Sequence, residues 1–218
     1  MVRPRVLLTG FGPFPGVPEN PSGWLAETLA GQSSAFDCYL HAEVLPTEWA
    51  TVAALAPRLH ADLQPHVMIH FGVDASAKGL RIERSAHNRA APRADACGAL
   101  PGSQAIVPDG AMRLDTALPV TMLSAHLRGS GHAANASRSC GRYLCNFLYY
   151  RSLHWAKAEG SHVLFVHVPL TRAQGGAVSQ DALLQAGHET LRFVLGAADA
   201  QQGAAQRQGA APAVEARQ

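Results

Sequence analysis

Apolar residues along this chain gather into short unbroken runs, separated by stretches with helical spacing. "RVLLTG" (5–10) is the first run, and its closing glycine predicts the end of a buried strand. "CYLHAEVLP" (38–46), "HVMIHFG" (66–72) and "HVLFVHVP" (162–169) predict further strands. A continuous apolar run stopped by Gly or Pro is the pattern of a parallel strand covered on both faces. The segments between them predict helices. Asn20 caps a helix over 22–29, with Pro21 in its first turn. Thr47 is available to cap "TEWATVAALAPRLHADL" (47–63). "TALPVTMLSAHLRGSG" (116–131) predicts a helix ending at Gly129 to Gly131, and "CGRYLCNFLYYRSLHWAKAEG" (140–160) another closed by Gly160. Ser179 caps a last amphipathic helix over 179–198. "LRIERSAHN" (80–88) reads as extended, and a long excursion with Pro and Gly follows it.

Strands alternating with helices predict an α/β fold: a single-domain three-layer α/β/α sandwich with a mainly parallel central sheet. The domain is expected over residues 1–197. Residues 198–218 are rich in Ala and Gln, with Val214 their one large apolar residue, and predict a disordered tail.

Composition narrows the function more than the fold. The chain has 218 residues, 47% of them apolar and 16% charged, with a formal net charge of +2. No run of Lys or Arg stands out, which argues against nucleic acid and anionic membrane as partners. The apolar stretch Val6 to Leu8 is too short for a secretion signal, and no later run is long and apolar enough to span a bilayer. The expected location is the cytoplasm, where Cys38, Cys97, Cys140 and Cys145 would be reduced thiols.

Candidate chemistry follows from position. "GFGPFPG" stands where a nucleotide loop would, but Pro15 and Val17 break both phosphate-loop patterns. Pro13 and Pro15 also lack the N–H groups that a phosphate cradle uses. Phe11 and Phe14 then read either as walls of a pocket for a small flat group or as core plugs. His66 and His70 are poorly spaced for a metal on a strand, and Cys140 and Cys145 do not fit a zinc motif. No metal and no cofactor is expected.

His167 lies near the end of an apolar strand, at the edge where open α/β sheets bind ligands. Cys145 falls near the start of a helix, where partial positive charge favours thiolate. Glu83 is a carboxylate among apolar neighbours and needs a partner if buried: a histidine, or one of Arg81, Arg84 and Arg89. A cysteine, a histidine and a carboxylate make a nucleophile, a base and an orienting group. A structural cysteine, a satisfied core histidine and an Arg–Glu pair remain the competing readings.

Longer signatures carry a resemblance. "LLTGFGPFPGVPENPS", "GVDASAKGLRIERSAHN", "SRSCGRYLCNFLYY" and "FVHVP" resemble, in order, the signatures of the pyroglutamyl peptidase I family, across about residues 5–196. The resemblance implies removal of an N-terminal pyroglutamyl residue from peptides through a thioester. It places the nucleophile on Cys145, the base on His167 and the orienting carboxylate on Glu83. It places substrate contacts on Phe11, Phe14, Tyr143 and Leu144, and implies a homo-oligomer, dimer or tetramer. Cys140, Arg81, Ser85 and Val73 depart from the family's usual residues. A nucleoside-binding phosphorylase-like protein of similar fold and a pyroglutamyl-binding module without turnover are the alternatives.

Overall fold

The computed structural model describes residues 3–209. In chain order its elements are β1 (Arg5–Phe11), α1 (Pro21–Gly31), β2 (Tyr39–Leu45), α2 (Trp49–Leu63), β3 (Val67–Val73), β4 (Leu80–Glu83), β5 (Ser85–His87), β6 (Arg113–Asp115), α3 (Val120–Gly129), β7 (Ala134–Ser137), α4 (Leu144–Glu159), β8 (His162–Val168) and α5 (Gln180–Gly209). Six strands form the central sheet in the order β2-β1-β3-β8-β4-β7, and β5 and β6 make a separate ribbon. Every neighbouring pair in the large sheet is parallel except β4 and β8, which run antiparallel.

The apolar runs are continuous because both faces of the sheet are covered. Val6 and Leu8 of β1 point to one side, into a core cluster shared with Leu25 and Leu29 of α1, Leu123 of α3 and Leu191 of α5. Leu7 points to the other side, toward Val52 of α2 and Leu148 of α4. This is the expected three-layer sandwich. Leu25 and Leu29 are fully buried, and truncating such a leucine to alanine costs about 2–5 kcal/mol. A Cβ on Gly10 would lie 2.2 Å from the Ser22 carbonyl oxygen, so α1 can approach β1 this closely only because that position is glycine.

Caps explain several boundaries. The Asn20 carboxamide accepts from the Ser22 N–H at 3.1 Å and starts α1 as expected. Ser179 Oγ accepts from the Ala182 N–H at 3.2 Å at the head of α5. Thr47 does not cap α2. The helix starts later, and Asp95, from a loop distant in sequence, accepts the Trp49 N–H at 2.9 Å. Thr47 Oγ instead lies 3.4 Å from the Gly12 carbonyl, on the loop after β1.

Three further expectations are corrected. β6 and β7 have only three and four residues, too short to show periodicity, and were hidden in the excursion and before the cysteine segment. The helix expected from Cys140 begins at Leu144, so Cys145 is its second residue. Composition alone predicts disorder from 198, yet α5 continues to Gly209. Ala and Gln are adequate helix formers, Ala198 is buried in the core, and Gln201 Nε2 donates to the Ala117 carbonyl at 3.1 Å. The remainder of that tail, 210–218, lies outside the described residues. Among the described residues no helix is long and apolar enough to cross a membrane.

Candidate active site

Parallel β1, β3 and β8 all end at one edge of the sheet, and the loops there surround a cavity of about 510 Å³. Register decides which side chains meet beneath it. Gly72 of β3 is paired with His167 of β8, and His167 is paired across its other side with Arg81 of β4. Glu83 lies across from Phe165, two residues before His167, so it shares their face of the sheet. A Cβ on Gly72 would sit 2.9 Å from Cys145 Sγ and 2.8 Å from the Phe165 ring. The sulfur therefore lies over the bare backbone of Gly72, next to His167.

His167 Nδ1 and Glu83 Oε1 are 2.8 Å apart in a buried hydrogen bond. That contact leaves Nε2 free on the side of the ring next to Cys145. Glu83 is fully buried, and the His167 side chain is 11% exposed. Burial by itself disfavours a charged imidazole. Here hydrogen bonds to Cys145 and Glu83, and the charges on both, outweigh it and raise the His167 pKa to about 9. The imidazole is thus protonated at neutral pH, beside a sulfur and a carboxylate.

The N-terminus of α4 presents the thiol. Its N-cap, Tyr143, makes no side-chain cap hydrogen bond, so first-turn N–H groups are left free beside Cys145. Asn146, fully buried, fixes that turn: its Oδ1 accepts from the His87 N–H at 2.8 Å, and its Nδ2 donates to the carbonyls of His87 and Arg89 at 2.9 and 3.1 Å. Tyr149, one turn on, donates its hydroxyl to the Glu83 carbonyl at 3.0 Å. α4 therefore holds the strand that carries the carboxylate as well as the thiol.

The other expected residues converge on the same cavity. Phe11, Phe14, Tyr143 and Leu144 all line it, as do Cys145 and His167. Glu83 lies below it. Phe11 and Leu144 are also buried in the core. Phe14 is half-buried on a loop pinned by Asn20 Nδ2, which donates to the Gly12 carbonyl at 3.0 Å. Tyr143 packs edge-on against Trp49 at 5.2 Å, and Arg93 lies over its ring at 4.7 Å.

Cys140 lines the cavity too but is buried. Burial first, then the charges of Cys145 and Glu83, push its thiol well up, so it behaves as a protonated, apolar side chain. His70 lies inside the core and bonds Thr9 and Ser152 rather than pairing with His66. Among the described residues no group of three or more His, Cys, Asp or Glu is placed to hold a metal ion. Asp74 was not singled out from the sequence, and Gly72 was read there only as the end of a strand and part of a family signature. Short strand-end segments carry no periodic signal, and the roles of these two residues come from register alone.

The sequence model of the family described as pyroglutamyl peptidase matches residues 4–182. Pyroglutamyl-peptidase 1 of Mus musculus is 33% identical over 173 residues, covering 78% of this chain and 81% of the mouse protein. Pyrrolidone-carboxylate peptidase of Pseudomonas fluorescens SBW25 is 36% identical over 165 residues, covering 75% of this chain and 78% of the other. The solved structure of pyrrolidone carboxyl peptidase from Thermococcus litoralis superposes with a TM-score of 0.82 at 27% identity, over 88% of this chain and 93% of that one.

Proposed function

The chain belongs to the pyroglutamyl peptidase family, and we propose from that premise that it is a cysteine-type omega-peptidase. It removes the N-terminal pyroglutamyl (5-oxoprolyl) residue from peptides. The observation that carries the proposal is one constellation: Cys145 at the head of α4, His167 beside it, and Glu83 2.8 Å from the far ring nitrogen.

With the proton of the Cys145–His167 pair held on the imidazole, Cys145 Sγ attacks the pyroglutamyl carbonyl. Free N–H groups in the first turn of α4 face the developing oxyanion, a contribution worth ~10²–10³ in rate per donor. The imidazolium donates its proton to the leaving amine as the C–N bond breaks, and a thioester remains on Cys145. Water, deprotonated by His167, then attacks the thioester and releases pyroglutamate and the thiol. Glu83 fixes the tautomer that points Nε2 at the sulfur and stabilises the charged ring. Every step uses side chains of this chain, and no cofactor enters.

The substrate fits the walls. A pyrrolidone ring is small, flat and uncharged, and Phe11, Phe14 and Tyr143 offer it aromatic and apolar surface. A free amino terminus would lose its water there without gaining a partner, so ordinary peptides are rejected. Four free cysteines, one of them the nucleophile, suit a reducing cytoplasm, and a dimer or tetramer completes the proposal.

The test is hydrolysis of a pyroglutamyl fluorogenic amide, with Cys145→Ala and Cys140→Ala in parallel. Wild type and Cys140→Ala should turn over and Cys145→Ala should not. A folded, reduced wild type without turnover overturns the proposal.

A further inference from the structure

Arg81 is a cation set into the proposed triad. Its Nε lies 3.6 Å from Glu83 Oε1, the same oxygen that takes the His167 hydrogen bond. Its Nη1 donates to Asp74 Oδ2 at 2.8 Å, and its Nη2 donates to Ser137 Oγ at 3.1 Å. The backbone explains the placement. Arg81 stands directly across from His167 in the antiparallel ladder, and Glu83 follows two residues later on the same face. Asp74 comes just after β3, where its N–H donates to the Val168 carbonyl at 2.9 Å, beside the end of the His167 strand.

Glu83 is fully buried, and its Oε2 has no hydrogen-bond partner. A buried carboxylate held by one hydrogen bond needs a counter-charge. While His167 is protonated, it supplies one. Once His167 has given its proton to the leaving amine, Arg81 is the one cation left within ion-pair distance of Glu83 among the described residues.

We infer that Arg81 and Asp74 form a positioning pair that keeps the Glu83 side chain aimed at His167 through both proton transfers. The inference rests on the triad reading above and extends it by two residues. Arg81 touches no reacting atom and acts through Glu83. Asp74 balances it, because a lone cation beside Glu83 would draw the carboxylate away from His167. Partial burial opposes the charge on Asp74. Hydrogen bonds from the Ser76 hydroxyl and N–H, with the charges of Arg81 and His167, hold its carboxyl below the ordinary value all the same. The other titratable groups facing Glu83 and His167 are Cys145 and Tyr149 on α4 and Cys140 on the preceding loop. Burial pushes Tyr149 and Cys140 well up and keeps them neutral. A change of charge at 74 or 81 is therefore felt by Cys145, His167 and Glu83.

The experiment measures kcat and KM against pH on a pyroglutamyl fluorogenic amide for wild type, Arg81→Met, Arg81→Lys, Asp74→Asn and Cys145→Ala, with thermal melts for all. Loss of a cation makes neighbouring groups hold protons more tightly, so Arg81→Met should move both limbs of the profile to higher pH. Loss of an anion does the reverse, so Asp74→Asn should move them to lower pH. Arg81→Met should also lose about tenfold or more in kcat, with KM changed by less than about threefold, as expected for an interaction acting on the reaction and not on binding. Arg81→Lys should restore the limbs but not the full rate, because an ammonium cannot hold three partners in the guanidinium plane. Unmoved limbs in both folded variants overturn the inference. If Arg81→Met fails to fold, Asp74→Asn decides alone. An inactive wild type overturns the triad reading as well, whereas active wild type, dead Cys145→Ala and unmoved limbs remove this inference only.

Discussion

Two buried histidines lie on the same face of the sheet, on neighbouring strands, with one phenyl ring between them. His70 of β3 is paired in register with Phe165 of β8, and His167 follows two residues later. The Phe165 ring is 6.3 Å from His70 and 4.9 Å from His167. Their chemistry diverges completely. Burial, then the charge of His60, lowers the His70 pKa to about 3, while His167 is raised to about 9.

The difference is in the partners. His70 lies between Thr9 Oγ at 2.8 Å and Ser152 Oγ at 2.9 Å, and Ser152 Oγ also contacts His60 Nε2 at 3.0 Å. Hydroxyls can both donate and accept, so this chain is satisfied with both imidazoles neutral. His60, stacked on Trp155 at 5.0 Å, is lowered to about 4 by burial and then by Arg151. A carboxylate only accepts, and Glu83 therefore demands a proton on the His167 ring. Desolvation alone makes a neutral core histidine, and an anionic partner lets the same residue keep its proton.

The sharpest way to break this contrast is to make the His167 environment resemble that of His70. Glu83→Gln keeps the shape and removes the anion. It should lower kcat/KM by ~10²–10⁴, the usual range for positioned acid–base help. The basic limb of the pH profile, expected near 9 in wild type where His167 loses its proton, should move down. An unchanged limb would show that Glu83 does not hold the charge.

The next effect is on stability, with opposite signs at the two sites. His60 and His70 have folded pKa values of about 4 and about 3, below the ordinary 6.5. Their contribution is full above pH 6.5 and is lost as pH falls toward those values, a loss on the order of a few kcal/mol in total. His167 is raised, so its contribution is full below pH 6.5 and is lost as pH rises through about 9. Urea midpoints from pH 5 to pH 9 should show both slopes. His70→Gln should flatten the acid side only, and Glu83→Gln the alkaline side only.

The smallest expected change is at the far end of the neutral chain. Thr9→Val removes the hydroxyl that His70 Nδ1 meets, and should cost about 1–3 kcal/mol while leaving the pH profile of activity in place. A shifted profile would mean that the two histidines communicate through Phe165.

Much of this molecule was legible before folding. Long apolar runs gave the strands of the sheet core, because full burial on both faces selects apolar residues at most positions. Caps such as Asn20 and Ser179 were readable, because they bond N–H groups two or three residues away. The cap of α2 was not, since Asp95 arrives from 46 residues along the chain. β7 escaped notice because its own "ANAS" is short and mostly exposed, and only pairing with β4 makes it a strand.

The site divides in the same way. The sequence by itself determined the residue types that can do the chemistry, and the short-range placement of Cys145 near a helix start and His167 near a strand end. Periodicity and caps act over a few residues, and that information is local. Apart from the family resemblance, only the tertiary structure decided that Glu83 belongs to His167, 84 residues away, and it alone decided that Arg81 and Asp74 stand behind it. It also decided that His70 is an inert neighbour. Strand order and register set those partnerships, and a partner's charge decides whether a buried imidazole keeps its proton.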